Sequence, residues 1–359
     1  NSERFLRGCL EDLEAQTIRD RLEIIVVDSG SEQNEAQIVR EFQKQYDNIV
    51  YIRTDQREGV YAAWNRGIKA ARGKYITNAN TDDRHRSNAF EKMALILDQR
   101  PDIALVYANV WITETENETF ENHTRVGIYR WADYDPLYLT YGCFIGPQPM
   151  WRKSLHEKYG YFDESFESAG DWEFWLRISE TEKFFHIDEV LGLYLKSPSS
   201  VEHRDPMLSR NEAMRVYKIY SPRRIRLEKE ISEKLKHVEK LANSGKIDKA
   251  EEILKQLISI FPYHPKIRND FAYLLWQRGR GEEALEHFRF AINRAPDDAD
   301  IVWNCGQVLL EYGYLEDAMA LYEAFLNKHP ENNDIQEILS RLKSSSKTAE
   351  EAVNASYSR

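Results

Sequence analysis

Two adjacent aspartates, Asp82 and Asp83, close the segment GKYITNANTDD. Like charges side by side repel, so the pair calls for a cation. It follows a short apolar run, Tyr75-Ile76-Thr77, that reads as a strand. Two hard oxygen ligands at a strand end suit a divalent ion held by one or two carboxylates and by a ligand's phosphates. The expected cofactor is therefore Mg²⁺ or Mn²⁺ bridging a diphosphate. The competing reading, N-capping of the helix RSNAFEKM, is weaker because Ser87 already supplies a cap. Asp28 ends the run IIVVDSGS. It either caps the next turn or accepts a hydrogen bond from the imide N–H of uracil or a similar base. Asp171 opens GDWEFWLRI and either caps that helix or, at a cleft, serves as a general base. Arg177, on the same helix, pairs with a site carboxylate or makes a surface salt bridge. His203 is either a loop histidine or a further metal ligand.

These residues need elements to bring them together. From residue 23 to about 195 strand-like and helix-like segments alternate: EIIVVDSGS, NEAQIVREFQKQY, IVYIRTD, GVYAAWNRGIKAARG, KYITNANTDD, SNAFEKMALILDQR and ALVYANVWIT. This alternation predicts an α/β fold with a mostly parallel, doubly wound sheet. Ligands of such sheets bind beyond the carboxyl ends of the strands, where Asp28 and the Asp82-Asp83 pair both fall. One crevice is expected to hold both.

After about residue 225 the chain becomes helical and repeats itself. Gly245, Gly279 and Gly313 recur every 34 residues, as do Ala250, Ala284 and Ala318, and Pro262, Pro296 and Pro330. Three markers at one period closely resemble tetratricopeptide repeats. Glycine turns between paired helices, alanine lets them approach, and proline ends the second of each pair. Helix pairs are expected at 230–244/247–260, 265–278/281–294 and 299–312/315–328, with a capping helix at 332–343. The division expected is thus a domain at 1–225, repeats at 226–345 and a flexible tail at 346–359. Asn269, Tyr273, Trp276, Trp303, Asn304 and Gln307 are candidates for a concave face that binds a protein partner.

Composition bounds the function. With 42% hydrophobic and 30% charged residues the chain builds a core. A net charge of -11 argues against nucleic acid as a partner. No apolar run is long enough to span a bilayer. Cys9, Cys143 and Cys305 lack metal or redox spacing and read as reduced thiols. The expected location is the cytoplasm, including the inner face of the membrane.

The first two-thirds of the chain resembles inverting family-two glycosyltransferases of the GT-A fold. IIVVDSGS is similar to their V-D-D-G-S strand. REGVYAAWNRGIKAARGKYITNANTDD is similar to their glycine- and asparagine-marked helix leading to an aspartate-rich metal motif. MWRKSLHEKYGYFDESFESAGDWEFWLRI is similar to their acceptor-side segment ending in E-D-x-x-x-x-x-R. The resemblance implies a nucleotide-diphosphate sugar donor, a carbohydrate or glycoprotein acceptor, a divalent metal and a single displacement, in bacterial surface polysaccharide or glycoprotein assembly. It implies donor contacts at Asp28, Ser29, Arg57, Gly59, Asn65 and Asp82, metal contacts at Asp82, Asp83 and His203, and catalysis by Asp171 with Arg177. Several positions depart from the pattern. Ser29 replaces an Asp, Asn80 stands at the first position of the metal motif, and Gly170 replaces the acid before Asp171. The family's first strand, ending in P-x-Y-N, is expected to precede Asn1. These departures keep a second reading open, an inactive transferase-like domain carrying a binding scaffold. A nucleotidyltransferase is disfavoured because no glycine-rich phosphate loop with Lys or Arg accompanies the first strand.

Overall fold

The computed structural model describes residues 1–198, 200 and 204–344. The chain forms two compact units, 1–225 and 226–359. In the first, helix α1 (Glu3–Glu14) buries Phe5, Leu6, Cys9, Leu10 and Leu13 along one face. Strand β1 (Ile24–Ser29), helix α2 (Glu35–Gln43) and strand β2 (Ile49–Thr54) follow, and β1 pairs with β2 in parallel, placing Asp28 opposite Arg53. Helix α3 (Val60–Ala70) leads to β3 (Tyr75–Thr77) and the two-residue β4 (Arg84–His85). Helix α4 (Ala89–Gln99) precedes the long β5 (Ile103–Thr113), then β6 (Gly127–Tyr129) and β7 (Met150–Arg152). Helices α5 (Ser154–Tyr159) and α6 (Gly170–Ile178), strand β8 (Lys183–Leu195) and helix α7 (Pro206–Ile219) complete the unit up to the start of α8 (Ser221–Asn243).

The α/β class holds, but the sheet is mixed rather than mostly parallel. Only β1–β2 and β5–β8 are parallel, and the pairs β3–β7, β5–β7, β5–β6 and β4–β8 are antiparallel. The physical reason lies in the connections. A parallel neighbour needs a long crossover, usually helical, whereas β4, β6 and β7 are short strands delivered by loops. The larger sheet runs β3-β7-β5-β8-β4, with β6 on β5, and the β1–β2 pair is a separate hydrogen-bonded sheet. Ile24 to Val27 of β1 and Tyr75 to Thr77 of β3 face a common cavity of about 1490 Å³. One core packs α1, α2 and α4 against β1, β2 and β5 through Leu10, Val39, Phe90 and Val106. A second gathers Trp151, Trp172, Phe174, Trp175 and Phe162 beneath α6. That aromatic mass fixes α6, and with it Asp171, to the sheet.

In the second unit, α9 (Ile247–Ile260) follows the end of α8, α10 (Pro265–Gln277) pairs with α11 (Gly281–Arg294), and α12 (Ala299–Glu311) pairs with α13 (Leu315–Leu326); a last helix, α14, spans 333–344. The three period-marking glycines all take positive φ, 78°, 74° and 81°, which is why glycine recurs at those turns. Ala250, Ala284 and Ala318 are fully buried where helices approach. The unit is an all-α tetratricopeptide-type solenoid.

Candidate active site

Asp82 and Asp83 lie between β3 and β4 and share a wall of the cavity, yet their surroundings differ. Asp83 is 2% exposed. Its carboxylate accepts hydrogen bonds from Asn80 Nδ2 at 3.0 Å and from the Leu195 N–H at 3.1 Å. Pairing of β4 with β8 brings the end of β8 to Asp83, across 112 residues of sequence. Burial raises the Asp83 carboxyl, and the Asp82 charge raises it further. Asp82 is half-buried, and burial likewise raises it. The buried guanidinium of Arg84 lies below the pair but donates to the carbonyls of Thr81 (2.9 Å) and Asp83 (2.6 Å), not to either carboxylate. The charges of Arg84 and Arg4 offset the effect of burial on Asp82 only in part, and Asp82 is the less buried member of the pair.

Asp28 is 3% exposed and holds the end of β1 in place. Its carboxylate accepts from the Ser31 N–H at 2.8 Å, from the Tyr51 hydroxyl and from the Arg53 guanidinium. Burial alone would push this carboxyl up, but the hydrogen bonds from Tyr51, Ser31 and Arg53 outweigh it and hold it below the usual carboxylate range. Asp28 is therefore an ionised anchor with both oxygens engaged. Gly30 has φ +61°, and a Cβ there would meet the backbone of Gln56 and Arg57 at 2.8 and 2.9 Å. This close crossing, together with hydrogen bonds between Ser29 Oγ and the backbone of Glu58, sets Arg57 at the cavity edge. Arg57 is exposed, lines the cavity and makes no ion pair among the described residues.

Asp171 sits in the first turn of α6. One carboxylate oxygen accepts from the Trp172 N–H at 2.8 Å and from the Tyr61 hydroxyl at 3.2 Å; the same hydroxyl reaches the Ser168 carbonyl at 2.9 Å. Asp171, Asp82 and Arg57 all line the one cavity, with Ser200 and Arg204 on the wall as well. Gly59 begins α3 and Asn65 lies inside it, and neither lines the cavity. Asn65 clamps the 162–164 loop, donating to the Phe162 carbonyl and Glu164 (both 2.9 Å) and accepting from the Phe162 N–H at 3.0 Å. Arg177 likewise points away from the cavity. It pairs with Glu173 and donates to the carbonyls of Tyr159 (2.8 Å) and Tyr161 (3.0 Å). His203 lies outside the described residues.

Three residues that position the site carry no local sequence signal. Tyr61 reaches Asp171 across 110 residues. Glu212 of α7 is buried and accepts from the backbone N–H groups of Glu167 (2.9 Å), Ser168 (2.8 Å) and Ala169 (3.0 Å), so one carboxylate terminates the loop that enters α6. Arg204 is placed at the cavity only by the return of the chain after β8.

Among the described residues no three side chains of His, Cys, Asp or Glu cluster to form a metal cage. The donor set fits a hard ion held by Asp82 alone or with one neighbour, its other positions filled by phosphate oxygens and water.

One cavity of an α/β domain is thus lined by two carboxylates from different elements, Asp82 and Asp171, and by the Arg57 cation. Residues 1–160 match the family model Glycosyl transferase family 2, and residues 241–289 and 275–342 match the Tetratricopeptide repeat model. Residues 1–160 of the first unit are thus similar to family 2 glycosyltransferases, and the second unit is similar to tetratricopeptide repeats. An uncharacterised glycosyltransferase of Methanocaldococcus jannaschii is 27% identical over 220 residues, covering 61% of this chain and 73% of that protein. Chondroitin synthase of Escherichia coli is 28% identical over 191 residues, covering 53% of this chain and 27% of that protein. Among solved structures, TarS 1–349 of S. aureus in complex with UDP-GlcNAc superposes with a TM-score of 0.50 at 16% identity, over 87% of this chain and 88% of that one. That likeness is one of fold.

Proposed function

We propose that the first unit transfers a sugar from a nucleotide-diphosphate donor to an acceptor hydroxyl with inversion at the anomeric carbon. The observation that carries this reading is the placement of Asp171, Asp82 and Arg57 on the walls of one cavity. Arg57 supplies an unpaired cation for the diphosphate. Asp82 supplies the carboxylate for a divalent ion, and a bound Mg²⁺ or Mn²⁺ stabilises the charge that develops on the leaving diphosphate. Asp171 accepts the proton of the acceptor hydroxyl as its oxygen attacks. The new C–O bond forms on the face opposite the breaking one, so a single displacement inverts the centre. The nucleoside diphosphate leaves, and Asp171 passes its proton to water. The Trp172 N–H and the Tyr61 hydroxyl aim the carboxylate. Asp28, already engaged, acts through the β1 end, and base recognition requires exchange of its Tyr51 or Arg53 hydrogen bond for one from the base.

A sugar polymer or glycoprotein is the acceptor class in this reading, supported by the chondroitin synthase relative. The repeats carry a protein partner. Tyr273 and Trp303 are exposed, whereas Trp276 donates to Glu311, Asn304 to Asn269, and Gln307 to Tyr322. The engaged state of Asp28 favours a second reading, a domain that holds a partner without catalysis. Hydrolysis of UDP-GlcNAc with and without Mn²⁺, in the native protein and in Asp171→Asn, separates the two. Metal-dependent turnover that the variant lacks supports transfer; no turnover of any nucleotide sugar with either ion supports the scaffold.

A further inference from the structure

Helix α7 (Pro206–Ile219) has two unlike sides. Its inner side carries Glu212 and Val216, both buried. Its outer side carries Met207, Arg210, Met214, Tyr217 and Lys218, all exposed. At ~100° of rotation per residue these five fall within an arc of about 100°. Met207 is 64% exposed and Met214 47%. The acidic residues of the segment lie elsewhere: Asp205 caps the helix through the Leu208 N–H, and Glu212 faces inward. Neither Arg210 nor Lys218 has an ion-pair partner among the described residues. The surface continues beyond the helix. The guanidinium of Arg224 lies 3.8 Å from the Tyr217 ring and 5.1 Å from that of Tyr141, which is 49% exposed. On a chain of net charge -11 this face reverses the prevailing sign.

We propose that the outer face of α7 docks the protein on an anionic phospholipid surface. The argument is charge complementarity joined to side-chain form. Methionines are flexible enough to enter the acyl boundary of a fluid surface. Lys and Arg stems extend so that their heads stay among phosphates, and Tyr141 and Tyr217 have the amphipathic rings that sit at headgroup depth. No helix among the described residues is long and apolar enough to cross a membrane, so the attachment is peripheral. Because Glu212, on the same helix, holds the loop into α6, docking keeps the Asp171 helix close to the lipid surface.

Flotation of the full chain with vesicles tests this. Binding is expected with phosphatidylcholine vesicles that contain phosphatidylglycerol, is expected to weaken with added salt, and is absent with phosphatidylcholine alone. Arg210→Gln with Lys218→Gln should lower the partition coefficient roughly twentyfold or more, at about fivefold per cation. Met207→Ser with Met214→Ser should lower it independently, and Arg100→Gln, far from the face in sequence, should not. Because all four side chains are exposed, melting temperature and donor hydrolysis report that the variants are folded. No binding to anionic vesicles, equal binding to neutral ones, or unchanged binding in both double variants overturns the proposal. So does capture of an acidic polypeptide by this face without any vesicle binding, which assigns the face to a protein instead.

Discussion

At the scale of single residues, the site turns on how each carboxylate is partnered. Asp171→Asn keeps the shape and the Trp172 contact but removes the base, so turnover should fall ~10²–10⁴-fold while donor affinity, measured by calorimetry, stays near normal. Tyr61→Phe removes one donor to the Asp171 carboxylate. A carboxylate that loses a hydrogen bond to its charged form holds its proton more tightly. The acid limb of the pH–rate profile should therefore move to higher pH, with little change on the alkaline side. The catalytic candidate and the acidic pair were legible in the sequence because their types and strand-end positions are local features. Their partners were not. Tyr61, Glu212 and the Leu195 N–H reach the site from 44 to 112 residues away, and nothing within a window of sequence marks them. Asn65 and Arg177 illustrate the converse. Their types suggested contact with ligand, yet each is committed to backbone groups that hold the loops around α6.

At the scale of elements, the turn between β3 and β4 carries two carboxyls whose burial costs stability once they ionise. The Asp82 and Asp83 carboxyls are raised in the folded state. A raised carboxyl contributes stability that is fully present below the ordinary carboxylate range and is lost as pH rises through the raised values. In the absence of divalent ion, Asp82→Asn should thus raise the melting temperature near neutral pH by a few degrees, about 1 kcal/mol, and the gain should vanish in acid. The same variant should lose Mn²⁺-dependent donor affinity. Asp83→Asn should keep it, since that side chain is spent on Asn80 and Leu195. Glu212→Gln puts an amide where three N–H groups converge. A loss of about 1–3 kcal/mol in urea unfolding is expected, together with lower turnover, because the loop before Asp171 loosens. The pattern of strands showed why these elements form but not how they pair. β8 reads as a mixed run, KFFHIDEVLGLYL, because only its second half is consistently buried, and its register with β5 and β4 is a non-local matter.

At the scale of the whole chain, the repeats were the most legible part. Their spacing is dictated within each unit of 34 residues, by a glycine at positive φ, a buried alanine and a proline, so every clue lies close in sequence to the structure it specifies. The sheet of the first unit depends on pairings between distant strands, and its mixed direction was hidden for that reason. A protein comprising residues 1–225 should retain metal-dependent donor hydrolysis, since every cavity residue named above belongs to that unit. Residues 226–359 should in turn retain the protein partner in a pull-down. Equal transfer to the native acceptor by the shortened and full chains, with nothing recovered by the repeats, would reduce the second unit to an appendage.

One close approach ties two positions of the site to each other. A Cβ added at Gly170 would lie 2.7 Å from the Tyr61 ring, so the two positions compete for the same space. A side chain at 170 therefore needs the Tyr61 ring to move or to be replaced by a smaller group. Gly170→Glu alone should displace the start of α6 and lower both turnover and melting temperature, and adding Tyr61→Ala should recover the melting temperature by freeing the space, without restoring the hydroxyl that reaches Asp171.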